Sequence, residues 1–232
     1  LGNSLSQLGV DAGRLDGDLN TVSAELAWKP MGPYPNAFGD FERVPELATR
    51  LGLRFSYSQE DVQNQPNVDD GFQNVTLRLS DGNPIFTPGL FGDGIQIRNA
   101  NYQMLSFDAG AKYKGFSLEG EYYYRWLDAF GGREVGRLGF DDIEDHGFQL
   151  QASAMVLPER VQAYLGGSKI FGDYGNPWDA RVGINWFPFR SQTLRWNNEI
   201  MYVDDSPVGA LSLAQPVGAE GPIFYSTVEF FF

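Results

Sequence analysis

Charged side chains occupy alternate positions in several short segments of this sequence, opposite a set of large apolar residues. In residues 116–127, for example, Glu119, Glu121 and Arg125 alternate with Leu118 and Tyr122. A period of two is the period of a β-strand, so one face of such a strand carries charge and the other is apolar. Opposed charges along a water-filled space orient dipolar solutes and set ion preference. We therefore take these side chains as candidates for the wall of a pore.

The predicted wall carries both signs of charge in nearly equal number. Its basic members are Lys29, Arg50, Arg54, Lys112, Arg125, Arg181 and Arg195. Its acidic members are Glu25, Asp108, Glu119, Glu121, Glu199 and Glu229. Their sum is near +1, whereas the whole chain carries −13, so we expect the acidity to lie mainly in loops. The alternative is that many of these charges pair across strands and are simply solvated, and both interpretations can hold together.

Residues suited to catalysis or metal binding are few. A Ser-His-Asp hydrolase would have to use His146, the only histidine, and no nucleophile-elbow motif accompanies it. We therefore assign no catalytic residue and predict that the chain is not an enzyme. The carboxylates Asp141, Asp142, Glu144 and Asp145 do not have the spacing of an EF-hand loop, and a solvated loop explains them. We expect no metal site and no cofactor.

The alternating pattern defines nine β-strands and no helix. The predicted strands cover residues 20–29, 47–58, 102–113, 116–127, 148–157, 161–171, 178–189, 193–204 and 223–232. None of these segments has a convincing helical period, so the chain is predicted to be all-β and antiparallel. The last strand ends on Phe232, which resembles the C-terminal strand of bacterial outer-membrane β-barrels. A buried strand of a β-sandwich is the alternative.

Composition narrows the class of protein further. The 232 residues contain no cysteine, and no apolar run approaches the length of a transmembrane helix. A membrane-spanning strand alternates over about ten residues and therefore looks polar on average. The net charge of −13 argues against a nucleic-acid partner.

The connections between the predicted strands alternate in length. Residues 59–100, 128–144 and 205–222 form long loops, whereas residues 114–115, 158–160 and 190–192 form short turns. Outer-membrane barrels have this asymmetry, with short turns on the periplasmic side and long loops outside. Residues 172–177 depart from this pattern because they are brief at the long-loop end, and residues 30–45 are the odd one out, since they are long where a short turn is due. The loop 59–100 either folds inward as a constriction or stays outside as a lid.

Aromatic residues cluster near both ends of the predicted strands. We predict that two aromatic girdles face lipid, as in outer-membrane barrels. Their members are Trp28, Tyr57, Phe116, Trp126, Trp186, Trp196, Tyr202, Phe224, Phe230 and Phe232. The alternative is a soluble barrel whose aromatic residues form its core.

A count of nine strands does not close a bacterial barrel, which has an even number. We therefore expect residues 1–19 to be a loop or the remnant of an upstream strand. Residues 20–232 then supply transmembrane barrel strands, and the chain is expected to be the C-terminal part of a larger barrel.

Six segments together resemble a known family. They are residues 77–82 (LRLSDG), 115–128 (GFSLEGEYYYRWLD), 147–160 (GFQLQASAMVLPER), 170–177 (IFGDYGNP), 183–189 (GINWFPF) and 205–209 (DSPVG). In order and spacing they are similar to the C-terminal half of the phosphate-selective porin O and P family. The resemblance covers most of the chain from about residue 28 onward. It implies a 16-stranded, usually trimeric outer-membrane diffusion channel, whose anion-selecting members use arginine and lysine clusters at the constriction.

These observations predict an antiparallel transmembrane β-barrel of the porin type in the outer membrane of a Gram-negative bacterium. We expect passive diffusion of small hydrophilic solutes or ions, with anions such as phosphate among them. The expected partners are outer-membrane lipid and lipopolysaccharide, the permeating solutes and inorganic ions, and two further copies in a homotrimer. A structural or accessory barrel that anchors an envelope complex is the alternative.

Overall fold

The computed structural model describes residues 21–36, 39–61, 77–208 and 215–230. These residues form nine strands, and the strands agree in place and order with the nine predicted from the sequence. They are β1 (Thr21–Met31), β2 (Ala48–Asp61), β3 (Gln96–Tyr113), β4 (Phe116–Arg133), β5 (Ile143–Leu157), β6 (Val161–Gly172), β7 (Trp178–Trp186), β8 (Leu194–Asp204) and β9 (Gly221–Phe230). The predictions for residues 1–20, for residues 62–76 and 209–214 of the loops, and for Phe232 lie outside the described residues.

The strands form one antiparallel sheet in sequence order, β1 to β9. Each strand pairs with the next along the chain, as in a meander. The prediction of an all-β antiparallel fold is therefore confirmed. In the described part of the chain the one helical element is a short 3-10 turn at Val135–Arg137, and no helix there is long and apolar enough to cross a membrane.

The strands are staggered relative to one another. The pairing register of the sheet aligns one residue from each of the nine strands in a single cross-strand row. The row is Trp28, Leu51, Ala109, Gly120, Leu150, Gly167, Ala180, Tyr202 and Pro222. It starts near the short-turn end of β1 and finishes at the long-loop end of β9. Such a shift is the stagger that tilted strands need in order to close a barrel.

The two faces of the sheet differ in polarity. We call the face that carries the charged side chains the inner face and the opposite one the outer face. Large apolar side chains stand exposed along the outer face, for example Leu26 at 69%, Leu165 at 62% and Phe224 at 66%. A soluble sheet would bury these side chains. Together with the stagger and the alternation of short turns and long loops, this makes the sheet one of the outer-membrane barrel type.

Three strands extend five or six residues further than the sequence predicted. β3 begins at Gln96, β4 continues to Arg133 and β5 begins at Ile143, all at the long-loop end. Most of the extra residues are polar or glycine, whereas Ile97 and Ile143 belong to a buried apolar cluster, and register shifts interrupt the pairing of β3 with β4 between Ile97 and Asn101. Main-chain pairing extends these strands where the side-chain pattern gives no sign of it.

The exceptional connection after β1 is folded against the inner face. The Tyr34 hydroxyl donates to Glu119 on β4 at 2.7 Å, and Asp40 accepts hydrogen bonds from the amides of Val44 and Gly115. Phe41 packs edge-on against Phe187, with ring centroids 4.8 Å apart. The described residues of 33–47 therefore cover the short-turn end of the inner face, which explains the length of this connection. We call them the base segment.

Part of the longest loop also lies on the inner face, at the opposite end. Leu77, Leu79, Ile85 and Phe86 form a buried cluster with strand residues that include Leu127 and Ile143. The Tyr174 amide donates to the Ser80 hydroxyl at 3.2 Å, which ties the loop to the connection between β6 and β7. For residues 77–95, which we call the mouth segment, the inward arrangement is therefore the one observed.

Candidate functional site

All thirteen side chains predicted to line a pore occupy inner-face positions. Glu25 and Lys29 lie on β1, Arg50 and Arg54 on β2, Asp108 and Lys112 on β3, Glu119, Glu121 and Arg125 on β4, Arg181 on β7, Arg195 and Glu199 on β8, and Glu229 on β9. Nine of them lie on β1 to β4, and seven of these nine form ion pairs with one another across strands. That this face lines a pore remains a prediction.

Two arginines on β2 organise the densest part of the inner face. Arg50 contacts Glu25 at 2.9 Å and Asp108 at 2.7 Å. Arg54 lies four residues further along β2. It contacts Glu25 at 3.4 Å, Asp108 at 3.1 Å and Glu121 at 3.7 Å. Each arginine thus bridges neighbouring strands, and the carboxylates share their charge between two guanidinium groups. We call these five residues the arginine network.

Two glycines leave room for this arrangement. A Cβ atom at Gly52 would overlap the carboxylate of Asp108, and one at Gly110 would overlap the hydroxyl of Tyr34. Asp108 and Tyr34 can therefore lie across the sheet instead of standing away from it. The sequence shows these glycines only as gaps in a polar face, because their role depends on the register between strands.

Lys112 is the most enclosed of the predicted basic residues, with its side chain 1% exposed. Its ammonium lies 3.4 Å from Glu119 Oε1, donates to the Pro35 carbonyl at 2.8 Å and sits 4.5 Å from the centre of the Tyr34 ring. Burial, and then the hydrogen bond to Glu119, raise the pKa of Tyr34 well above its usual value. Tyr34 therefore stays protonated and keeps donating to Glu119 throughout the physiological pH range.

An open cavity of about 720 Å³ lies over the arginine network. Gln149 and Gln151 of β5 border it on the side away from β1, and Asn36 of the base segment borders its floor. Every charged residue of the network lines it. Side chains of both signs therefore face the same open space, an arrangement that suits contact with small hydrated ions or dipolar solutes.

A separate ion pair lies nearer the long-loop end. The Arg125 Nε donates to Asp145 Oδ2 at 3.0 Å, and a second guanidinium nitrogen contacts the same oxygen. Asp145 is 1% exposed and belongs to β5, so its assignment to an acidic loop is corrected. The strand begins five residues earlier than the side-chain alternation indicates, which moves Asp145 onto the inner face.

On β6 to β9 the inner face is more neutral. The Tyr164 hydroxyl donates to Glu199 at 2.8 Å, and Arg195 pairs with Glu229. Arg181 lies 4.0 Å from Asp179, a longer separation than those of the arginine network. A chain of hydrogen-bonded uncharged side chains crosses the short-turn end of the inner face. It contains Ser117, Ser153, Gln162, Asn185 and Asn197.

The charge balance of the inner face differs from the one predicted. Glu60, Asp145 and Asp179 also occupy inner-face positions of β2, β5 and β7. With them the described strands carry nine acidic against seven basic side chains on this face, so the expected sum near +1 is wrong there and the sign is negative. The uncharged hydrogen-bonded chain was also missed, because serine, asparagine and glutamine give no charge signal.

The predicted aromatic residues occupy outer-face positions wherever the structure describes them. Near the short turns lie Trp28, Phe116, Trp186, Trp196 and Phe230, and near the long loops lie Tyr57, Trp126, Tyr202 and Phe224. Phe116 and Phe230 are each 64% exposed. Their contact with lipid remains a prediction.

His146 lies on the outer face of β5, inside a strand. Its ring stacks on Phe171 with centroids 5.0 Å apart. Its neighbour Asp145 points to the inner face, so the four acidic residues 141, 142, 144 and 145 do not share one side of the sheet. Among the described residues no group of three or more histidine, aspartate or glutamate side chains is arranged to hold a metal ion.

Comparisons with known proteins give one structural match. No protein-family model and no curated protein matches the chain. A solved structure of OmpT (in-vitro folded), an outer membrane protein of Vibrio cholerae, is similar with a TM-score of 0.44 and 15% sequence identity. The match covers 79% of this chain and 45% of OmpT, so the chain spans less than half of that protein.

The prediction that the chain is not an enzyme is corrected. The statement that the chain is not an enzyme rested on the lack of a catalytic motif around His146. A missing motif excludes no activity. Enzymatic activity is therefore left open for this chain.

Proposed function

We propose that the chain forms part of an outer-membrane diffusion channel for small hydrophilic solutes or ions in a Gram-negative bacterium. The observation that carries this proposal is the contrast between the faces. The inner face holds the arginine network beneath an open cavity of about 720 Å³, whereas the outer face exposes large apolar side chains. A barrel in lipid needs this contrast, with water on its charged side and hydrocarbon on the other.

The ion pairs favour weak selectivity over tight binding of one solute. Arg50, Arg54, Arg125 and Arg195 each contact at least one carboxylate. A guanidinium that is already paired holds a passing anion less firmly than an unpaired one. We therefore propose that phosphate passes without being bound tightly. The proposal also includes membership of the phosphate-selective porin O and P family, a 16-stranded barrel and a trimer.

The direct experiment is to record the protein in planar lipid bilayers. A diffusion channel gives stepwise, ohmic increases in conductance as single molecules insert. Correctly folded protein that inserts without any conductance step would rule the channel out.

Substitutions within the arginine network should change ion selectivity in opposite directions. Arg54→Gln leaves Asp108 and Glu121 less compensated and should shift the reversal potential towards cation preference. Glu121→Gln leaves Arg54 less compensated and should shift it towards anion preference. Both shifts are measured under a KCl gradient, and they should shrink as salt rises, because the screening length falls from about 10 Å at 0.1 M to about 3 Å at 1 M.

Lys114→Gln, in the exposed turn between β3 and β4, is the matched control and should leave the reversal potential unchanged. Shifts of the same sign in Arg54→Gln and Glu121→Gln would contradict the assignment of these residues to the conducting path.

A barrel that anchors an envelope complex is the second candidate, and the two inward segments favour it. The base segment covers the short-turn end of the inner face and the mouth segment covers the long-loop end. If they close the lumen, the wild type gives no conductance. A variant in which a short glycine linker replaces residues 33–44 then conducts, whereas in a channel the same change only raises an existing conductance.

A further inference from the structure

A shallow groove of about 430 Å³ crosses the outer face over β5, β6 and β7. Its floor is low because small residues meet there. Gly167 pairs with Leu150 on one side and Ala180 on the other, and Ala152 lies two residues along β5. Leu150 and Leu165 form two of its walls and are 52% and 62% exposed. The result is an apolar channel one side chain wide between the large side chains of its walls.

A lysine stands at the long-loop end of this groove. Lys169 lies two residues from Gly167 on the same face, between Phe148 of β5 and Trp178 of β7. Along the described strands β5 to β9 it is the one lysine or arginine at an outward position. Its ammonium lies 5.2 Å from the centre of the Phe171 ring, and the described residues place no carboxylate within 4.0 Å of it.

The position of Lys169 decides which partner fits. A lysine at the centre of the bilayer costs about 2–4 kcal/mol in a barrel, and this cost falls towards the interfaces. Lys169 is opposite Trp178, the first residue of β7, so it lies at the rim of the outer face. There its aliphatic stem can lie along the groove while the ammonium reaches the depth of lipid phosphate groups. An acyl chain fits the groove, and a phosphate supplies the negative charge that the described residues do not provide.

We propose that this groove binds an acyl lipid with an anionic phosphate headgroup. One acyl chain lies over Ala152 and Gly167 between the walls, and the phosphate accepts a hydrogen bond from Lys169 Nζ. Phe171, stacked on His146, holds the lysine side chain towards the headgroup. The site rests on the membrane location in the proposed function, but it does not depend on conduction.

The test is native mass spectrometry of the whole protein in mild detergent, titrated with phosphatidylglycerol or phosphatidylcholine. The wild type should retain phosphatidylglycerol in preference. Lys169→Gln should weaken that binding about fivefold, the effect of removing one lysine next to an anionic lipid. Ala152→Phe should weaken it about tenfold, because the ring takes the space of two or three methylene groups of the chain.

Two control variants match these changes away from the groove. Lys114→Gln removes a lysine from the opposite end of the sheet, and Ala111→Phe adds the same bulk to the outer face of β3. Both should bind phosphatidylglycerol as the wild type does. Equal binding of the two lipids, or binding unchanged in Lys169→Gln, would overturn the proposal.

Two other outcomes would assign the groove to a different occupant and also overturn the proposal. Displacement of the lipid by millimolar inorganic phosphate would show a free-anion site. A change in oligomeric state in Ala152→Phe without loss of lipid would show that a second copy of the chain covers the groove. If the protein binds phosphatidylglycerol as expected but never conducts, the channel proposal fails while the lipid site stands.

Discussion

The pair of Arg125 and Asp145 shows at the scale of single residues how the inner face is stabilised. Asp145 is almost completely buried, and Arg125 is the guanidinium that contacts it. The carboxylate compensates a cation that the surrounding structure shields from water. Removing one partner of such a pair leaves the other buried and uncompensated, which costs more than the pair itself contributes.

Asp145→Ala should therefore lower the free energy of unfolding by about 3 kcal/mol, measured by urea titration in detergent micelles. Asp141→Ala, at an exposed position four residues earlier, is the control and should change it by less than about 0.5 kcal/mol. The double variant Arg125→Met with Asp145→Leu should recover most of the loss, because apolar side chains of similar size need no counter-charge. A loss in Asp145→Ala no larger than that of the control would show that the pair is not buried.

Sequence reasoning placed the charged residues that it selected on one shared face, as the sheet does, but could not find their partners. The face follows from the period of two, which local sequence contains. The partners depend on register, and nothing near Arg50 in the sequence shows that Asp108 lies opposite Gly52. Asp145 was placed in a loop for the same reason, since the pairing of Arg125 with Asp145 extends β5 beyond its visible alternation.

At the scale of elements, the two inward segments cover opposite ends of the inner face, and the base segment borders the open cavity. The mouth segment is held by Leu79, which is 2% exposed within the apolar cluster, and by the hydrogen bond from Tyr174 to Ser80. The strands beneath it are joined by main-chain hydrogen bonds that do not involve this segment. The mouth segment can therefore be released without unfolding the sheet.

Leu79→Asp should release the mouth segment, because an unpaired carboxylate cannot stay in an apolar cluster. Chymotrypsin should then cut after Phe91, which packs against the same cluster, about tenfold faster, which corresponds to about 1.4 kcal/mol less free energy for local opening. Fragment masses identify the cleavage site. Thr87→Asp, at an exposed position of the same segment, should leave the rate unchanged. Equal rates for the wild type and Leu79→Asp would show that the cluster does not hold the segment.

The strands were predictable from sequence, whereas the inward segments were not. Strands repeat a simple alternation, but Tyr34, Phe41 and Val44 lie in a stretch rich in proline and glycine with no period. Apolar side chains are unexpected in a solvated loop, so their presence in this stretch was the available signal that they are buried. Where such residues bury themselves depends on contacts with distant strands, which no local pattern encodes.

At the scale of the whole molecule, charge and hydrophobicity are separated by the sheet itself. Among the described residues, nine acidic and seven basic side chains share the inner face, while large apolar side chains are exposed on the outer one. A one-residue slip in register would exchange the two faces, so the function depends on register as much as the fold does. A test of the whole molecule must therefore show on which face of the sheet a residue lies and whether that residue affects the ion current.

Single-channel recording of cysteine variants tests this central claim most directly, since the natural chain contains no cysteine to interfere. Glu121→Cys places a thiol in the cavity and Tyr122→Cys places one on the outer face, at adjacent positions of β4. A negatively charged methanethiosulfonate reagent should lower the conductance of Glu121→Cys in discrete steps and leave Tyr122→Cys unchanged. An unchanged conductance in Glu121→Cys after mass spectrometry confirms its modification, or a stepwise block in Tyr122→Cys, would contradict the account.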